Sequence, residues 1–100
     1  MARVKSDLSI LNEFVKKLSL MYSEMFQLDV KIAIEQAPEN YYREGIGYIY
    51  YFCTISIDGD QQYGTYGIHG LFINDVMTEI YSFCHAVVAE DYAMIKKFKL

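Results

Sequence analysis

In the middle of this hundred-residue chain, rings recur at every second position, as Tyr48, Tyr50 and Phe52. Successive side chains of an extended strand point to opposite faces, so these three rings are expected to share one face. A row of rings can do two kinds of work. It can give a protein partner wide contact area with hydrogen-bonding hydroxyls, or offer the bases of a single-stranded nucleic acid a stacking platform. Tyr63 and His69 join the same face if the strand folds back on its successor. His69 titrates near neutrality, which also makes it a candidate general acid or base. Its surroundings do not spell a catalytic motif. No GxGxxG or P-loop pattern is present, and Gly64, Gly67 and Gly70 recur at spacing three inside a strand rather than at a helix start.

Cys53 and Cys84 are the two cysteines, and both fall on apolar rows. A buried free thiol in a reducing compartment behaves as a small hydrophobe, so both are read as packing residues. His69 and His85 would be the other soft metal ligands. No CxxC or HxxxH spacing accompanies them, and neither a metal nor a cofactor is expected. Asp58 and Asp60 do not open a calcium loop, because His69 occupies the place where a bidentate glutamate is required.

The net charge is −4 and the pI near 5.0. Neutralising phosphates takes clustered lysine and arginine, so nucleic-acid binding is disfavoured. The acids are scattered, with no run longer than Glu90-Asp91. Apolar residues make up 53% of the chain, with ten tyrosines among them, which excludes a disordered tail and a disulfide scaffold. No apolar run approaches the roughly 18 residues of a membrane span, and the start is not patterned as a secretory signal, so the cytoplasm is the expected address.

Five elements must position the aromatic face. Leu8, Leu11, Val15, Leu18, Tyr22 and Met25 alternate spacings of three and four, predicting a helix over 6–26, with Ser6 or Asp7 as its cap. Val30, Ile32 and Ile34 alternate with polar residues and predict a short edge strand over 30–35. Pro38 breaks the ladder and opens a loop reaching Gly45, with Tyr41 and Tyr42 in a connection of the kind that often carries recognition residues. Residues 47–57 and 61–72 form a hairpin closed by Asp58-Gly59, a dipeptide suited to a type I′ turn. That turn pairs Ile57 with Asp60, Ile55 with Gln62, Cys53 with Gly64, Tyr51 with Tyr66 and Ile49 with Ile68 on an apolar face. On the other face Tyr48, Tyr50, Phe52, Thr54 and Ser56 oppose His69, Gly67, Thr65, Tyr63 and Gln61. A second helix follows over 75–95, capped by Asn74 or Asp75. Val76, Ile80, Phe83 and Val87 form one of its rows and Met77, Cys84 and Val88 another, and Lys96, Lys97 and Lys99 lie at its negative end.

The expected architecture is one α+β domain over 1–100, in the order α-β-β-β-α. Two helices pack on one face of a three-stranded antiparallel sheet, and nothing remains to cover the other. Double-stranded-RNA-binding domains share this order of elements. They meet phosphates with lysines at the start of the second helix, where this chain has Asn74, Asp75 and Glu79, so the order carries no activity with it. The functional expectation is a small non-catalytic protein-binding module of adaptor, inhibitor or chaperone type, acting on another protein or on itself as a homodimer. Its contact residues would be Tyr48, Tyr50, Phe52, Tyr63 and His69. An inhibitor of a host system carried by a phage or mobile element would fit the size and acidity. The alternatives are a single-stranded nucleic-acid binder using the same rings, or a small enzyme using His69.

Overall fold

A computed structural model describes residues 7–92, and for residues 60–64 and 91–92 it describes the backbone alone. Helix α1 runs over Asp7–Phe26, strand β1 over Val30–Gln36, β2 over Tyr42–Arg43, β3 over Gly47–Tyr48, β4 over Tyr51–Ile57 and β5 over Asp60–Ile68. Helix α2, Ile73–Cys84, continues into a π-helical stretch, His85–Tyr92. The main sheet is antiparallel in the order β1-β4-β5, and β2 and β3 form a separate small hairpin.

The core lies between the helices and one sheet face. Leu11, Val15, Leu18 and Tyr22 of α1 are buried against Val30, Ile32 and Ile34 of β1, with Cys53, Ile55 and Ile57 of β4, Ile68 of β5 and Val76, Ile80 and Cys84 of α2 in the same cluster. The three-and-four spacing and the two-residue alternation therefore name the core side of α1, β1 and β4. Met25 departs from its row and is exposed. It sits one residue from the end of α1, just before Gln27 turns the chain out of the helix at φ 56°.

Contact between α1 and β1 is unusually direct. Ser23 Oγ accepts from the N–H of Val30 at 3.0 Å, and Ser19 Oγ accepts from the N–H of Ile32 at 3.0 Å while donating to the carbonyl of Val15. Serine is small enough to let the helix approach the strand, and its hydroxyl satisfies backbone groups that an edge strand leaves unpaired.

Several details depart from the sequence reading. The long strand over 47–57 is divided: β3 ends at Tyr48 and β4 starts at Tyr51. Tyr51 is the ladder partner of Ile68, yet the N–H of Tyr50 also donates to the Ile68 carbonyl at 2.9 Å. Two consecutive residues thus oppose one, which is a bulge, and a bulge reverses the alternation beyond it. Ile49, expected on the core face opposite Ile68, instead packs on the far face over Gly67, where an added Cβ would lie 2.8 Å from Ile49 Cδ1.

The Asp58-Gly59 turn is present, with φ of 52° and 87°, and Ile57 pairs with Asp60. The register then slips by two residues, so that Ile55 meets Gly64, Cys53 meets Tyr66 and Tyr51 meets Ile68. A slip of two preserves the faces while changing every partner. Strand β5 ends at Ile68, four residues short of the expected end. The second helix starts at Ile73, with Phe72 at the cap position and no side-chain cap. Ser6 and the lysines at 96, 97 and 99, like the end of the second helix over 93–95, lie outside the described residues.

Ile80→Ala, at a fully buried position on α2, is expected to lower unfolding stability by about 2 to 5 kcal/mol, measured as the shift of a urea midpoint. Gly67→Ala forces the tip of Ile49 aside and is expected to cost about 1 to 3 kcal/mol in the same assay.

Candidate functional site

The far face of the sheet is partly covered by the chain between β1 and β4. Ala37 is anchored by its N–H to the Tyr50 carbonyl at 2.9 Å, and the N–H of Tyr41 reaches the Pro38 carbonyl in a turn that places Asn40 at φ 59°. The hairpin β2-β3 then turns through Glu44, Gly45 and Ile46, closed by the N–H of Ile46 on the Arg43 carbonyl at 3.1 Å. Positive φ values of 86° at Gly45 and 107° at Gly47 explain the glycines. Ile49 returns the chain to the sheet, its N–H on the Tyr41 carbonyl at 3.0 Å.

This fold-back rearranges the aromatic residues. Tyr48 pairs with Tyr42 across the small hairpin, their rings edge to face at 5.2 Å. Phe52 stays on the far face of β4 and receives the Tyr41 ring edge to face at 5.4 Å. Tyr48 is therefore not opposite His69, and Tyr48, Tyr50 and Phe52 do not stand in a row on one strand. The reason is the bulge at Tyr50-Tyr51, which lets residues 37–49 leave the sheet plane. The face that the order of elements leaves bare is covered from within the connection.

Two open grooves flank buried Ile49, which lines both. The first, about 630 Å³, holds Tyr48 and Tyr50 together with Pro38, Tyr41, Tyr51 and Leu71. The second, about 640 Å³, holds Phe52 and His69 together with Arg43, Ile46, Thr65 and Gly67. The structure thus divides the expected contact residues into two pairs. The side chain of Tyr63 lies outside the described residues.

Around the first groove several large apolar side chains face solvent: Tyr42 at 60% exposure, Tyr48 at 51%, Leu71 at 64%, and next to it Phe72 at 69%. The strand expected over 61–72 includes Leu71 and Phe72. They belong instead to the turn before α2. Tyr41 and Tyr42 were visible by their place in a connection.

His69 is fixed by Glu79 of α2. The carboxylate accepts from the His69 backbone N–H at 3.3 Å and stands 3.7 Å from Nε2. An added Cβ at Gly70 would collide with the same carboxylate, so glycine is what allows the close approach. Burial and then the charge and hydrogen bond of Glu79 push the Tyr66 hydroxyl up. Glu79 accordingly ties the end of β5 to α2.

A second polar cluster, without a signal in the sequence, joins α1 to the second helix. The hydroxyl of buried Tyr22 lies 3.4 Å from Nδ1 of His85, and the His85 ring stacks on Tyr81 at 5.9 Å. Burial first, then Tyr81 and Cys84, push the Tyr22 hydroxyl up to about 12. Both thiols are buried and unpaired as disulfides. A hydrogen bond with Cys53, followed by burial, pushes the Cys84 thiol up, which keeps it protonated and unreactive. Among the described residues no three histidine, cysteine or acidic side chains gather as metal ligands. No described helix is long and apolar enough to cross a membrane. No protein-family model, curated protein or solved structure matches the chain.

Because folding favours the neutral form of Tyr22, the unfolded chain ionises this group first, near its ordinary value of 10.0, and the folded protein follows only near 12. Stability is expected to fall as pH rises through that window. Tyrosinate absorbance should show a component titrating near 12, which Tyr22→Phe removes together with part of the pH dependence.

Proposed function

We propose that this protein is a non-catalytic protein-binding module, acting on another protein or on a second copy of itself. The observation that carries the reading is exposed Tyr48 and Leu71 lining one groove with Tyr50, beside exposed Tyr42, whose ring packs on Tyr48. Together these side chains offer apolar surface on the order of several hundred Å², the scale at which exposed patches mark contacts. Tyrosine suits such a surface because a rigid ring supplies area at small entropic cost while its hydroxyl meets polar backbone.

The chain supports this patch at little risk to its core. The small hairpin and the turn before α2 carry the exposed rings, whereas the buried cluster belongs to α1, α2 and the opposite face of the sheet. An adaptor or inhibitor, including one that a phage or mobile element directs at a host, would use such a surface. A stacking platform for nucleic acid is less favoured, since it needs rings in a row beside a positive groove, whereas here the rings divide and the first groove carries Glu39 as its charged residue.

The test is sedimentation of the wild type and of Tyr48→Ala and Tyr50→Ala, followed by titration against any partner recovered by affinity capture. Each substitution is expected to weaken association by about 2 kcal/mol, near thirtyfold, while Lys17→Ala on exposed α1 leaves it unchanged. Unchanged oligomeric state and unchanged affinity in both tyrosine variants would refute the reading.

A further inference from the structure

We propose that the second groove, beneath the β2-β3 hairpin, binds a small organic anion with a flat apolar body, of the aromatic carboxylate class. The groove measures about 640 Å³, within the range of about 300 to 1,000 Å³ typical of small-molecule sites. Its walls are apolar: Ile46 from the hairpin, Ile49, and Phe52 from β4. Gly67 and Thr65 supply the part formed by β5. Gly67 has no side chain, and Ile49 fills the space above it, so the isoleucine rather than the glycine forms the apolar floor at this point.

Charge decides the class of ligand. The protein carries a net charge of −4, yet Arg43 lines this groove and no aspartate or glutamate does. The first groove is nearly equal in size but has Glu39 and no cation. Among the described residues no carboxylate forms an ion pair with Arg43. Its backbone is held by the pairing with Gly47 across the hairpin and by its carbonyl, which closes the turn with Ile46. A guanidinium presents a planar fork of donors that matches a carboxylate with two parallel hydrogen bonds. Thr65 adds a hydroxyl. His69 lies at the rim with its ring beside Glu79, so Arg43 is the group that sets the preference for an anion. An ion with a flat hydrocarbon body would meet Phe52 and the isoleucines while its carboxylate meets Arg43.

This site is separate from the Tyr48-Tyr50 groove, and its occupation does not depend on the protein-binding reading. The probes are naphthoate and its neutral amide, naphthamide, followed by amide-resolved NMR. Naphthoate is expected to shift the signals of Arg43, Gly45, Gly67 and His69 and to bind about tenfold more tightly than naphthamide. Arg43→Gln, on an exposed hairpin, should keep the rest of the spectrum and lose that tenfold difference, and Arg43→Lys should retain part of it. Tyr48→Ala should leave naphthoate binding unchanged, which separates this result from failure of the protein-binding reading. The proposal is overturned by equal affinity for acid and amide, by shifts confined to the groove of Tyr48, Tyr50 and Leu71, or by no shift at about 1 mM probe.

Discussion

One constraint organises the molecule: a three-stranded sheet has two faces, and two amphipathic helices can bury one of them. The choice is made by Ile32, Ile34, Cys53, Ile55, Ile57 and Ile68, which stand on a single side and draw both helices to it. The opposite side must be met by something else. Here the chain uses its own connection, pressing Ile49 onto Gly67 and Tyr41 onto Phe52. The two grooves exist because that cover is narrow and leaves sheet or strand end on either flank of Ile49.

The division of labour that results has a chemical logic. The thiols of Cys53 and Cys84 are buried together in the core, where the contact with Cys53 and burial keep Cys84 protonated. Polar groups with variable partners gather at the boundary between sheet and helix, where Glu79 joins His69 and Tyr66, and at the start of the π-helical stretch, where Tyr22 meets His85. Exposed Tyr42 and Tyr48 and the cation of Arg43 sit on a hairpin whose flanks are tied to the sheet by backbone hydrogen bonds, by Ile49 and by the contact of Tyr41 with Phe52.

Much of the frame was legible because it depends on periodicity. The row Leu11, Val15, Leu18 and Tyr22, the alternation of Val30, Ile32 and Ile34, and the Asp58-Gly59 turn each announce an element by a rule that local chemistry enforces. What alternation could not show was a bulge. A single extra residue at Tyr50-Tyr51 reverses which side Ile49 faces, and nothing in the run from Tyr48 to Phe52 marks it, since every residue there suits a strand. The two-residue slip in β5 is hidden for a related reason: it exchanges partners yet leaves Thr65, Tyr66 and Ile68 on their expected faces. The candidate site suffered more than the core, because it lies beyond the bulge. Arg43, Leu71 and Phe72 acquire meaning from how the connection folds back, a long-range event without a local signature.

The serine contacts between α1 and β1 bear on the sheet's two margins. At one margin the N–H groups of Val30 and Ile32 are already spoken for by Ser23 and Ser19, and the helix lies alongside. At the other, β5 is the last strand in the order, with no neighbouring strand beyond it among the described residues. The two margins are thus unlike, one partly capped by the helix and the other not, which makes β5 the freer margin for lengthening by a strand from another chain.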